Sequence, residues 1–166
     1  SSIDGMVPSR RKVVYTALKR NLKEIKVAQL AGAVSEMSSY HHGEASLMHV
    51  IIGLVQQYVG CKNNIPLFVP IGQFGSRIMN GKDSASERYI FTALETLARK
   101  VFHPDDDELL TYLEDDGQTV EPNYYVPVVP LSLTQEMEGI ATGFSTYCPC
   151  YDPIDMCNQI RRKLDK

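Results

Sequence analysis

Tryptophan is absent from this 166-residue chain, and no apolar run approaches the ~18 residues that a membrane-spanning helix requires. A transmembrane helix is therefore excluded. There is no GxxxxGK[ST] loop either, so nothing here hydrolyses a nucleotide by that route. Cysteine is scarce: Cys61, Cys148, Cys150 and Cys157 make no disulfide framework. Cys148-Pro149-Cys150 with Cys157 offers three zinc ligands but no fitting fourth nearby, and reduced thiols of an intracellular protein are the expectation. The first residues, Ser1-Ser2-Ile3-Asp4-Gly5, carry neither an initiator Met nor a signal-peptide pattern. They read as a cut into a longer protein.

What remains is the composition of a globular chain, 43% hydrophobic and 22% charged. The length suits one domain, or one and the start of another. The net charge of −3 hides an asymmetry. Residues 1–100 hold 13 Lys and Arg against 7 Asp and Glu, a surplus of +6, whereas residues 101–166 hold 4 against 13, a deficit of −9. A basic first part is the footprint of a polyanionic partner, with ordinary solvated charge as the plainer alternative.

Along the chain, Pro8 suits a first helical position, and Val13, Val14, Ala17 and Leu18 continue a helical stripe. A second amphipathic stretch runs from about Glu24 to Met37, and a third from about Glu44 to Tyr58, with Ser38 to Gly43 between them. Helix, short turn, helix is the layout of helix-turn-helix and winged-helix modules, whose later helix enters the major groove of DNA. The third helix is apolar over much of its girth, so it is also suited to a buried central position. Its N-terminus would offer free N–H groups to a phosphate, and His41 and His42 stand just before it.

Ile65 to Val69, bounded by Pro66 and Pro70, predicts a short edge strand. Tyr89 to Thr92 has strand-forming residues, and Leu94 to Phe102 predicts a short basic helix. Asp105–Glu108 and Glu114–Asp116 lack the spacing of a calcium loop and read as solvated turns. Asp116-Gly117 predicts a hairpin turn, and Tyr124 to Leu133 an extended apolar segment. Asp152 as N-cap with Pro153 behind it starts a final helix that ends in basic residues.

The stretch Gly81 to Thr92 is the candidate for chemistry. It begins as a small-residue loop with Lys82 and ends in Arg88-Tyr89. A tyrosine hydroxyl, with an ordinary pKa of about 10, attacks poorly unaided at neutral pH. A neighbouring guanidinium lowers that cost and binds phosphate oxygens bidentately. Arg-Tyr by itself does not separate a nucleophile from an ordinary strand end.

The surrounding segments do. Asp4-Gly5 with Pro8 and Arg11-Lys12-Val13, Lys26 to Gly32, Ser39 to Glu44, Ile71-Gly72-Gln73-Phe74-Gly75, Gly81 to Ala85, Arg88 to Thr92, Val120-Glu121-Pro122 and Glu138-Gly139-Ile140 follow one another in order. Together they resemble the type IIA DNA topoisomerases, in wording the eukaryotic and large-virus branch rather than the gyrase branch. The resemblance covers nearly the whole chain.

It implies an α+β fold: a winged-helix domain over residues 1–103 carrying the catalytic tyrosine loop, then the beginning of a strand-rich tower domain over 104–166. It implies that Tyr89 attacks a DNA phosphodiester to leave a transient 5′-phosphotyrosine, with Arg88 stabilising charge on the phosphoryl group. Arg11, Lys12, Lys26, His41, His42 and Lys82 would contact DNA, and Ile140 would be a wedge that bends it. No metal or cofactor would be held here. Mg²⁺ and ATP would belong to separate Toprim and ATPase domains of a homodimeric, full-length enzyme acting on double-stranded DNA in the nucleus, or at viral replication sites. The fragment alone would not cleave.

Departures from the pattern are Val7-Pro8-Ser9-Arg10, where the family has Lys-Pro-Gly-Gln, and Tyr124 and Phe144, where it has tryptophan. They leave the tyrosine chemistry intact. A non-catalytic helix-turn-helix module is the alternative reading, and the loop ending at Tyr89 is what it leaves unexplained. A tyrosine recombinase is disfavoured, since its scattered Arg/His constellation is not apparent.

Overall fold

The computed structural model describes residues 1–165. Helix α1, Pro8–Lys19, has Pro8 in its first turn, where a missing N–H costs nothing, and buries Val13, Val14, Ala17 and Leu18. Asn21 then takes a left-handed φ of 45° and turns the chain so that Leu22 plugs the core. Strand β1, Ile25–Lys26, leads into helix α2, Val27–Ser38. The helix expected from about Glu24 thus starts at Val27, because residues 25 and 26 pair with a sheet instead. Ser39, at φ 47°, stops α2, and helix α3, Glu44–Val55, follows. The three helices pack on one another through Val14, Leu30, Val34, Leu47, Ile51 and Val55, all 0–1% exposed. Each such side chain contributes on the order of 1.5–3 kcal/mol by leaving water.

Strand β2, Phe68–Ile71, and strand β3, Phe91–Leu94, complete a three-stranded antiparallel sheet in the order β1-β3-β2. Pro70 sits on the edge strand β2, opposite Thr92, where its missing donor is tolerated. The strand expected from Tyr89 begins two residues later, at Phe91, with the backbone at Tyr89 in a turn closed by Tyr89 N donating to Ser86 O at 2.9 Å. That shift leaves Tyr89 outside the sheet. The basic helix expected over 94–102 shrinks to one turn, α4, Ala98–Val101.

After a 3₁₀ turn at Pro104–Leu109, strands β4, Tyr112–Asp115, and β5, Gln118–Pro122, form a hairpin. Asp116 and Gly117, at φ 50° and 75°, supply the two left-handed residues of its turn. The segment expected to be extended up to Leu133 instead ends in a short helix α5, Leu131–Thr134. The core continues past residue 103: Tyr125 packs its ring 5.0 Å from that of Phe102, and Leu131 joins the same cluster. Beyond it project a second hairpin, β6 (Met137–Ala141) with β7 (Phe144–Cys148), and helix α6, Pro153–Leu164. Asp152 caps α6 by accepting from Ile154 N and Asp155 N. No residue of α6 is buried.

Candidate functional site

The exposed phenol of Tyr89 stands on a backbone clamped from both sides. Helix α2 has no side-chain cap at its N-terminus, and its first N–H groups are satisfied by the tyrosine segment instead. Val27 N donates to Ile90 O at 3.1 Å, and Ala28 N donates to Glu87 O at 3.2 Å. Ile90 is buried to 1% exposure and anchors the next position. Gly72 has to be glycine here: its φ is 118°, and a Cβ would lie 2.8 Å from Ile90 Cγ2. The result is a Tyr89 side chain that is 72% exposed on a fixed main chain.

Cations surround it. The Arg88 guanidinium lies 5.8 Å from the Tyr89 ring centroid and is exposed. Lys26, paired in the sheet with Phe91, holds its ammonium 5.8 Å from the Phe91 ring, also in solvent. Lys82 is exposed on the preceding loop and, with Ala45, His49 and Ile52 of α3, lines a cleft of about 490 Å³. A polyanion could reach Arg88, Tyr89, Lys26 and Lys82 without disturbing the core.

His41 and His42 precede α3, both exposed. Gly43, at φ 84°, makes the sharp entry and leaves the helix start without a side-chain cap. The His42 ring meets Tyr40 edge-on at 5.6 Å. His41 Nε2 lies 3.7 Å from Asp115 Oδ2, too far for a hydrogen bond. The ligand atoms of His41, Asp115 and Asp116 fall within 4.8 Å of one another, a meeting of the connector with the β4–β5 turn that spacing did not suggest.

Two of the expected DNA contacts are paired with carboxylates of the chain itself. Arg11 is 5% exposed and makes a bidentate pair with Asp4, Nε to Oδ2 at 2.8 Å and a terminal nitrogen to Oδ1 at 3.1 Å, while that nitrogen also donates to Met6 O. Asp4 is itself 1% exposed and accepts from Met6 N and Tyr125 N, both at 3.0 Å. A carboxylate buried so deeply needs a cation, and Arg11 is that cation. Lys12 donates to Glu121 Oε2 at 2.9 Å and to Ser38 O. Its charge is likewise committed to the interior, where Glu121 is 2% exposed. Both cations therefore carry a carboxylate partner inside the fold, and Lys12 also lines an open cleft with His41 and His42.

Ile140, which local pattern alone would put in a core, is 82% exposed on β6 opposite Ser145. Strand alternation puts Ile140, Ser145 and Tyr147 on one face of the hairpin. Phe144, noted above as a departure from the family's tryptophan, and Tyr147, which sequence reading did not single out, are aromatic surface, 80% and 61% exposed. The signal available was the alternation of the segment 137–148 about Thr142-Gly143.

The chain as a whole resembles known proteins. All of it, residues 1–166, matches the family of the DNA gyrase/topoisomerase IV A-subunits. The chain belongs to this family, the type IIA DNA topoisomerases. Within the type IIA enzymes it is similar to the eukaryotic members: it is 57% identical over 166 residues to the mouse (Mus musculus) DNA topoisomerase 2-alpha and 55% identical to the silkworm (Bombyx mori) DNA topoisomerase 2. Each match covers 99% of this chain and 11% of the relative, so the chain spans roughly a tenth of the length of those topoisomerases. A crystal structure of the Plasmodium falciparum topoisomerase II DNA-binding, cleavage and re-ligation domain superimposes with a TM-score of 0.96 at 47% identity, over 99% of this chain and 23% of that one.

Proposed function

We propose that this chain is the DNA-binding and DNA-cleaving part of a type II topoisomerase and that Tyr89 is its nucleophile. The observation that carries the reading is a 72% exposed tyrosine whose flanking carbonyls, at Glu87 and Ile90, are both hydrogen-bonded to the start of α2, with Arg88 beside it. Side-chain freedom on a fixed backbone is what positioning a nucleophile requires.

In the proposed reaction Tyr89 Oη attacks the phosphorus of a DNA phosphodiester. The O–P bond to tyrosine forms as the bond to the 3′ oxygen breaks; the phenol gives up its proton and the departing 3′ oxygen takes one up, leaving a 5′-phosphotyrosine and a free 3′-hydroxyl. The ester exchange conserves bond type, so the reverse step reseals the strand. Arg88 stabilises the charge that develops on the phosphoryl oxygens. Mg²⁺ would be supplied by another domain and would stabilise the same charge as a Lewis acid.

The helices α1–α3 with the sheet β1-β3-β2 form the winged-helix unit in this reading. Residues 1–103 are that unit, and 104–166 begin a tower domain whose first part, to Thr134, is packed onto it. Helix α3 lies in the major groove with His41 and His42 at its phosphate-facing end, and Lys26 and Lys82 contact backbone. Ile140 inserts between base pairs, and its unstacking cost of roughly a few kcal/mol is offset by the added contact that a bent duplex makes. The functional enzyme is a homodimer in the nucleus or at a viral replication site, and ATP drives strand passage from a separate domain.

The test is Tyr89→Phe in the full-length protein. The covalent DNA adduct disappears while the affinity for DNA holds within two-fold. A covalent adduct recovered from that variant removes Tyr89 from the role.

A further inference from the structure

The loop between Gly72 and Tyr89 is pinned to the far end of α3 by one side chain that nothing in the tyrosine chemistry requires. Gln56 is the residue at which α3 stops, with its backbone turned to an extended ψ of 137°. Its carboxamide nitrogen has two hydrogens and uses both, donating to Phe74 O at 2.9 Å and to Gly81 O at 3.4 Å. Its carboxamide oxygen accepts from Tyr58 Oη at 3.3 Å. The backbone carbonyl of Gln56 in turn accepts from Asn63 Nδ2 at 3.0 Å, which fixes the residue from behind.

The loop is built to receive it. A Cβ at Gly81 would lie 2.4 Å from Gln56 Nε2 and 2.6 Å from Tyr58 Oη, and a Cβ at Gly75 would lie 2.6 Å from Gly81 Cα. Both glycines have positive φ, 79° and 109°, so a side chain at either position meets steric and conformational cost together. On the outer side of the same loop, Asp83 Oδ1 accepts from Ser76 N at 2.7 Å, and Ala85 N donates to Gln73 O at 2.8 Å. The backbone hydrogen bond from Tyr89 N to Ser86 O then closes the last turn before the phenol.

We infer that Gln56 is a positioning residue for Tyr89: it ties the tyrosine loop to the end of α3, so that a duplex seated along α3 meets a phenol already placed. The inference rests on Tyr89 being the nucleophile. Gln56 acts through the carbonyls of Phe74 and Gly81. Exchange of its NH₂ for an oxygen removes both donors and sets a charge against two carbonyl oxygens, at nearly unchanged volume.

The experiment compares Gln56→Glu with wild type in the full-length protein, with linear duplex DNA as the probe. It measures single-turnover adduct formation, DNA affinity and Tm. The expected result is a fall of ten-fold or more in the rate of adduct formation with affinity within two-fold and Tm within about 2 °C. Tyr58→Phe, which loses only the hydroxyl on the Gln56 oxygen, lowers the same rate two- to three-fold. Adduct formation by Gln56→Glu at the wild-type rate overturns the inference. So does a loss of rate matched by losses in affinity and Tm, which would make Gln56 a purely structural residue. If instead Tyr89→Phe still forms an adduct, the nucleophile reading itself has failed, and the two failures are told apart.

Discussion

Arg11 and Lys12 lie on α1 with their charges paired to the buried carboxylates of Asp4 and Glu121, whereas Arg88, Lys26 and Lys82 hold theirs in solvent around Tyr89. All five are cations in segments that resemble the topoisomerase pattern. The difference is the company each keeps. Asp4 and Glu121 are 1% and 2% exposed and are matched by Arg11 and Lys12, while no carboxylate is bonded to Arg88, Lys26 or Lys82 among the described residues. One set of cations holds the scaffold together, and the other is left for a ligand. Residue type in a motif is therefore a poor guide to which cation is paired inside the fold; the buried anions decide it.

The largest effect expected from breaking this contrast is on the inward pair. Asp4→Ala leaves Arg11 buried without its partner and lowers stability by ~3–5 kcal/mol, read from urea denaturation of the 166-residue chain. Adding Arg11→Met to Asp4→Ala recovers part of that loss, because no uncompensated charge remains. A null effect of Asp4→Ala would return Arg11 to the surface and to DNA. Glu121→Ala comes next, at roughly 1–3 kcal/mol, since Lys12 keeps its bond to Ser38 O.

On the outward set the expected stability change is small. Arg88→Ala and Ile140→Ala each stay within ~0.5 kcal/mol of wild type, although in the full-length protein the first suppresses DNA cleavage and the second reduces bending of bound DNA in a fluorescence-transfer assay. A large loss of stability in Arg88→Ala would erase the distinction between the two sets.

The smallest effect concerns pH. Asp83, whose carboxylate accepts the Ser76 N–H, is held below its ordinary value by that hydrogen bond. Its contribution is complete above about pH 4, the ordinary value, and fades as pH falls through the lower folded value. Amide exchange at Ser76, corrected for its intrinsic pH dependence, therefore loses protection only in strong acid. Unchanged protection there would mean that Asp83 does not fix the loop.

Much of the fold was legible. The period of Val13, Val14, Ala17 and Leu18 marked α1, Asp116-Gly117 marked its hairpin, and Asp152-Pro153 marked the start of α6. The errors came at places where tertiary pairing outweighed local pattern. Residues 25 and 26 left the helix for the sheet, and the strand after Tyr89 started late because the α2 N-terminus took the carbonyls of Glu87 and Ile90. The candidate site could be named from the sequence as a set of residues, through Arg88-Tyr89 and the family wording. Its support was not. Gln56 lies 18 residues from Phe74 in sequence and 25 from Gly81, and the match of Lys12 with Glu121 spans 109 residues. No local period encodes contacts at such separations.

The most direct measurement is a peptide map of the trapped covalent complex. The full-length protein is stopped in mid-cleavage on labelled duplex, digested, and the peptide carrying DNA is sequenced by mass spectrometry. The account predicts a single modified residue, Tyr89, joined to a 5′-phosphate. A label on any other tyrosine, or a 3′-linked phosphate at Tyr89, would contradict it.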